Sequence, residues 1–355
     1  MARAHNFYAG PAVLPEPALQ AGVEALRDYK GIGMSVIEIS HRSKEFTEII
    51  ETTEADIREL MNIPDNYHVL FMTGGASTQF ALIPMTFLKR KADYVDTGAW
   101  SAKAIKEAVR FGEVHLAGSG KEGGYTRIPD SLDLSPDADY VHVTSNNTIY
   151  GTQWSEFPDT GDVPLVCDMS SDILCREIDV TKFALIYAGA QKNMGPAGVT
   201  VVILRDDLLQ RVPAELPTMF KYTTYAEKKS LFNTPPVFPI FMVGQVAKWL
   251  KDIGGVKEIE RRNREKAAML YDVLDRYDIY RPHAHPSSRS LMNVTWRMTD
   301  EKLEAELLAA AAERRMYGLK GHRSVGGLRA SIYNACPVES VKALCDLLVE
   351  FAESH

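Results

Sequence analysis

Over the first two-thirds of the chain, short β-branched or aromatic runs alternate with amphipathic helical patterns, and no other feature limits the fold as strongly. Strands separated by helices read as parallel α/β units, so a doubly wound sheet is expected. The pattern predicts strands over 68–72, 93–96, 113–116, 140–143, 164–167, 183–187 and 199–204. It predicts helices over 15–29, 44–61, 78–88 and 101–110, with Pro84 expected to kink the third.

A proline-rich stretch, Asn233-Thr234-Pro235-Pro236-Val237-Phe238-Pro239, interrupts the alternation and is expected to be an extended loop, neither regular helix nor central strand. A helix over 241–251 follows, then Gly254-Gly255 and a long amphipathic helix reaching about Tyr277. The remainder reads strand, helix, strand, helix over 290–298, 302–317, 328–333 and 338–352, a smaller α+β unit. With 355 residues and roughly 150 per domain, two domains are expected. The division is drawn at residues 1–257 for a large unit and 258–355 for a small C-terminal one, with segment 1–15 able to pack on the latter.

Forty basic against 47 acidic residues leave a net charge of −7, so no global positive field exists to attract nucleic acid or anionic lipid. The apolar runs match single buried strands and fall far short of a membrane span. No signal-peptide pattern is read at the N-terminus. Cys167, Cys175, Cys336 and Cys345 form no CxxC pair and lie at no zinc spacing, which fits a reducing cytoplasm best. His283-Ala284-His285 lacks a third ligand nearby and reads as a surface loop.

Three segments carry chemistry. In the first, a buried strand runs through Tyr187-Ala188-Gly189-Ala190-Gln191 into Lys192 and then a Gly/Pro turn, placing one lysine at a strand's carboxyl edge, where open α/β sheets hold ligands. On position alone, a solvated loop lysine is an equal reading. In the second, Asp168 directly follows the apolar run 164–167, a place that often holds only a turn residue. Taken together, an amine and a carboxylate at the ends of successive strands fit a pyridoxal-phosphate site, where lysine engages the aldehyde and aspartate the pyridinium nitrogen. The third segment, Met72-Thr73-Gly74-Gly75-Ala76-Ser77-Thr78, opens a helix whose backbone N–H groups suit a phosphate. The nearest nucleotide-type candidate, Gly118-Ser119-Gly120-Lys121, fails the P-loop pattern, because Glu122 stands where Ser or Thr is required.

These segments, the opening Asn6-Phe7-Tyr8-Ala9-Gly10-Pro11-Ala12, Ile39-Ser40-His41-Arg42-Ser43, Asn233-Thr234-Pro235-Pro236, Lys320-Gly321-His322-Arg323 and Gly326-Gly327-Leu328-Arg329 together resemble the phosphoserine aminotransferase family over essentially the whole chain. The resemblance implies a fold type I, class V pyridoxal-phosphate transferase with a mostly parallel seven-stranded sheet between helices and a smaller α+β domain. It implies that Lys192 is the Schiff-base lysine, Asp168 the partner of the ring nitrogen, Trp100 the indole stacked on the ring and Thr148 the donor to its phenolic oxygen. Ala76, Ser77 and Gln191 would surround the cofactor phosphate, with Asn233 and Thr234 reaching it from a second subunit of a homodimer.

For the substrate, the resemblance implies that His41, Arg42, His322 and Arg323 grip the phosphate of phosphoserine and that Arg329 holds the α-carboxylate. Planar guanidinium groups suit both anions. Some family members carry arginine where this chain has Ser77, so the phosphate would rest more on the His-Arg pairs here. The implied reaction converts L-glutamate and 3-phosphohydroxypyruvate to 2-oxoglutarate and O-phospho-L-serine in serine biosynthesis, and a phosphorylated four-carbon oxo acid could be aminated likewise in pyridoxine biosynthesis. Two rivals stay open: a cysteine desulfurase or another aminotransferase of similar fold, with Cys175 as the weak candidate thiol, and a non-catalytic phosphate-ligand module in which Lys192 is a solvated charge.

Overall fold

The computed structural model describes residues 3–355. A two-residue strand, β1 (His5–Asn6), is followed by the seven that form the main sheet. These are β2 (Tyr67–Met72), β3 (Lys91–Asp96), β4 (Glu113–Ser119), β5 (Val141–Thr144), β6 (Leu165–Asp168), β7 (Leu185–Gly189) and β8 (Thr200–Arg205). Their order is β2-β8-β7-β6-β5-β3-β4, and every neighbouring pair is parallel except that β8 runs antiparallel to both β2 and β7. The mostly parallel seven-stranded sheet expected from the alternation is therefore present.

Both faces of this sheet are covered, which is why its central strands read as continuous apolar runs. Val143, Cys167, Ile186 and Ala188 pack into one core with the helices Lys44–Met61 and Val237–Asp252. Val166, Leu185 and Tyr187 pack on the other side with the helix Gly75–Phe87.

Two of the expected boundaries need the largest corrections. The proline-rich loop ends earlier than predicted, because the helix Val237–Asp252 starts directly after Pro236 and contains Pro239 in its first turn. A first-turn proline forfeits nothing, since that N–H has no intrahelical acceptor. The helix predicted over 302–317 stops at Glu313; Arg315 adopts φ 57°, and Met316–Tyr317 forms strand β11, parallel to β1. Pro84 lies inside the helix Gly75–Phe87, whose hydrogen bonding continues to Leu88 N–H on the Pro84 carbonyl at 3.0 Å.

A second, three-stranded antiparallel sheet is formed by β9 (Tyr280–Pro282), β10 (Asn293–Met298) and β12 (Leu328–Ser331), in the order β12-β10-β9. The long helix Gly255–Arg276 serves two cores: Val256 and Ile259 join the main one, while Leu270 and Leu274 join that of the small sheet. Midway along it, buried Lys266 donates to the carbonyls of Ile332 (2.9 Å), Tyr333 (2.7 Å) and Cys336 (3.2 Å). Among the described residues no helix is long and apolar enough to cross a membrane.

The N-terminal segment is tied to the small sheet's core. Phe7 is fully buried there, its N–H donating to Tyr317 O at 2.8 Å while its carbonyl accepts from Ser331 N–H at 3.2 Å. Removing a buried phenyl ring costs about 3–5 kcal/mol. Phe7→Ala is expected to lower unfolding stability in urea by that amount; a loss below about 1 kcal/mol would show that the segment docks without contributing to the core.

Candidate active site

Parallel strands aim their carboxyl ends at one rim, and the chain leaves that rim carrying its reactive groups. A cavity of about 380 Å³ opens there. Its wall includes Thr144 at the end of β5, Asp168 at the end of β6, Gln191 and Lys192 just past β7, and Gly74, Gly75, Ala76 and Ser77 just past β2. Trp100, Thr148, His322 and Arg329 complete the predicted set that lines it.

Asp168 is buried, with 4% exposure. Its Oδ1 accepts from Ser170 N–H at 2.9 Å, and no protein donor reaches its other oxygen among the described residues. Burial raises its pKa, opposed by the Ser170 hydrogen bonds and by the charge of Lys192. The Lys192 amine donates to Thr148 Oγ1 at 2.6 Å and stands 5.5 Å from the centre of the Trp100 ring. Enclosure brings its pKa down to about 8, with Asp168 pulling upward and Arg329 downward. The amine is thus poised near neutrality, as proton-transfer chemistry requires.

Arg329 donates to Thr148 O at 2.9 Å, while its Nε is buried and unpartnered. Burial lowers its pKa. His322 is also lowered, first by burial and then by the charges of Arg329, Arg323 and Lys103. At the entry to the helix Gly75–Phe87, Gly74 (φ 89°) and Gly75 (φ 66°) occupy the left-handed region. A Cβ on Gly74 would sit 1.9 Å from Thr78 Oγ1, so the turn admits no side chain there. The helix carries no side-chain cap, leaving its first N–H groups for an anion.

Five predicted residues do not line this cavity. His41 and Arg42 lie in the turn ahead of the helix Lys44–Met61, and Arg323 is exposed beyond His322. Asn233 and Thr234 are exposed just ahead of the helix Val237–Asp252. Conversely, sequence reasoning missed Thr144, Asn146, Ser170 and Ser171 as wall residues. Asn146 Nδ2 donates to Ser171 Oγ (2.9 Å) and to Asn293 Oδ1 (2.7 Å), a network joining the rim to the small sheet. Ser170 and Ser171 stand two and three residues beyond Asp168; Thr144 and Asn146 carried only the signal of following a strand.

The residues present fit pyridoxal phosphate. Asp168 offers a carboxylate oxygen free of protein donors, Lys192 an amine of lowered pKa, Trp100 a ring at the wall, and the Gly74–Gly75 turn uncapped N–H groups. Thr144 Oγ1 and Trp100 Nε1 are buried without partners. The rival thiol chemistry has no footing, because Cys175 is fully buried and burial pushes its pKa far up. No group of metal-ligating side chains occurs among the described residues.

Residues 4–344 match the family model of class-V aminotransferases. The phosphoserine aminotransferase of Desulfatibacillum aliphaticivorans is 56% identical over 357 residues, covering 99% of each chain. The structure of phosphoserine aminotransferase from Bacillus circulans subsp. alkalophilus superposes with a TM-score of 0.97 at 49% identity, covering 99% of each. The PLP-bound phosphoserine aminotransferase of Trichomonas vaginalis gives 0.92 at 37% identity, covering 98% of this chain and all of that one. Fold and site thus define a pyridoxal-phosphate-dependent transferase of fold type I. Within that class, the chain belongs to the phosphoserine aminotransferase family of class-V aminotransferases.

The lowered pKa of Lys192 is measurable on the cofactor-free protein. Labelling of Lys192 by an amine-reactive reagent, followed by peptide mapping, is expected to rise with a midpoint near pH 8, because only the neutral amine reacts. A midpoint above about 10, the range of an ordinary lysine, would mean that the amine is not desolvated.

Proposed function

We propose that the protein catalyses transamination between L-glutamate and 3-phosphohydroxypyruvate, giving 2-oxoglutarate and O-phospho-L-serine. The observation that carries the reading is the Lys192 amine, which shares one cavity with the Asp168 carboxylate and the Arg329 guanidinium. When bound, pyridoxal phosphate supplies an aldehyde carbon that takes up amino groups and a ring that withdraws electrons from the neighbouring Cα.

The chain's own groups do the rest. Asp168 keeps the ring nitrogen protonated through its free oxygen, while Trp100 supports the ring face. Thr148, which already accepts from Lys192 at 2.6 Å, donates to the ring's phenolic oxygen. Ala76, Ser77 and Gln191 surround the cofactor phosphate beside the Gly74–Gly75 turn. With the cofactor bound, Lys192 would carry the proton between the substrate Cα and the former aldehyde carbon on the far side of the nitrogen, a role its lowered pKa suits. Arg329 holds the α-carboxylate through a fork oriented by the Thr148 carbonyl.

His41, Arg42, His322 and Arg323 hold the distal anion, a phosphate in one half-reaction and a γ-carboxylate in the other. A homodimer is part of the same reading: Asn233 and Thr234 are exposed and outside their own cavity, which supports their reaching the cofactor phosphate of a second copy. The division into units 1–257 and 258–355 accompanies it, with the long helix Gly255–Arg276 as the joint. Four buried free cysteines support a cytoplasmic setting. Amination of a phosphorylated four-carbon oxo acid in pyridoxine biosynthesis needs the same groups.

A coupled assay with glutamate and 3-phosphohydroxypyruvate is expected to show turnover dependent on both; its absence in the cofactor-loaded enzyme would contradict the reading. Arg42→Ala removes one charge-assisted contact and is expected to cost on the order of tenfold to a hundredfold in kcat/KM with O-phosphoserine, and far less with a non-phosphorylated amino acid. Equal losses on the two would remove Arg42 from the phosphate grip.

A further inference from the structure

We propose that Lys103 is a specificity-determining residue, an ammonium group held over the Trp100 indole that favours a phosphorylated substrate over glutamate by binding its distal dianion. The inference rests on the transamination reading above and assigns a role to a side chain that reading does not use.

Strand β3 ends at Asp96, and the helix Ala99–Ala108 begins directly beyond Gly98. Its first turn is pinned: Ser101 Oγ accepts from the N–H groups of Thr97 and Gly98, each at 2.9 Å, and donates to Asp96 Oδ1 at 2.9 Å. Trp100 and Lys103 are three residues apart in that helix and so share a face. The Lys103 amine stands 4.0 Å from the centre of the Trp100 ring, whose electron-rich face attracts a cation. The same ring has the Lys192 amine 5.5 Å from its centre. One indole therefore connects the reactive amine with a second, exposed ammonium group.

The charge of Lys103 is uncommitted. Twenty-four ion pairs occur among the described residues and none includes it, nor does its side chain make any hydrogen bond. Its field reaches His322, contributing with Arg329 and Arg323 to the lowered pKa of that imidazole. Among the described residues the only carboxylate lining the cavity is Asp168, whose free oxygen is taken by the ring nitrogen in the reading above. A cation attracts a dianion about twice as strongly as a monoanion, so an ammonium group packed on the wall residue Trp100 separates phosphate from γ-carboxylate by charge.

The test uses the cofactor-loaded enzyme and two variants. Lys103→Met keeps an unbranched stem over the indole and removes the charge; Lys103→Arg keeps the charge. For Lys103→Met, the ratio of kcat/KM for O-phosphoserine to that for glutamate is expected to fall about threefold to tenfold, through KM rather than kcat. Inorganic phosphate binding, read by calorimetry, is expected to weaken by a similar factor. Lys103→Arg is expected to recover most of both. An unchanged ratio with unchanged phosphate affinity would overturn the inference, as would an equal fall of kcat on both substrates, which marks a purely structural role. Failure of the wild-type enzyme to use O-phosphoserine at all would instead overturn the parent reading.

Discussion

Two opposite charges withdrawn from water at the carboxyl rim of one sheet constrain the rest of this molecule. Asp168 and Lys192 each resist burial, one by favouring its proton and the other by releasing it, and each partly offsets the other's penalty. Such a pair persists only where the surroundings are fixed. The strand registers Thr144 opposite Asp168 and Asp168 opposite Tyr187 supply that rigidity, and the Ser170 N–H satisfies one carboxylate oxygen. A second buried carboxylate, Asp172, is anchored nearby by Ser145 and by Gln153 Nε2 at 2.9 Å, and Ser145 Oγ also donates to the Asp168 carbonyl at 2.9 Å. The polar rim is thus built from short fixed contacts on an apolar sheet that cannot shift beneath it.

Much of this was legible in the sequence, for identifiable reasons. Strands β5 to β8 are covered on both faces, so burial leaves short apolar runs such as Leu165–Cys167 and Thr200–Leu204. Neither Asp168 nor Lys192 was distinctive alone; they stood out as an amine and a carboxylate at the ends of successive strands. Boundaries were less legible. The helix predicted from Thr78 starts at Gly75, since two glycines with positive φ read as a turn although the second already opens the helix. Strands β1, β9 and β11 have two or three residues each and exist only through their partners, so no local pattern marks them. The wall residues Asn146 and Ser171 were illegible because their pairing spans 25 residues of chain.

The substrate side of the site is distributed differently from the cofactor side. The groups proposed to meet the ring and the α-carboxylate come mainly from the sheet rim and from β12. The groups assigned to the distal phosphate come from turns: His41 and Arg42 ahead of one helix, His322 and Arg323 between Gly321 and Gly326. This division suits an enzyme that must accept two acids with different tails while performing the same proton transfer on both.

The central claim is that Lys192, and no other amine, bonds to the cofactor's aldehyde carbon. Reduction of the purified holoenzyme with labelled borohydride, followed by peptide mapping, tests it most directly. Label confined to the peptide containing Gln191-Lys192-Asn193 is the predicted result, with loss of the visible absorbance band. Label on a different lysine, or an unlabelled Lys192 in an enzyme that retains cofactor and activity, would contradict the account.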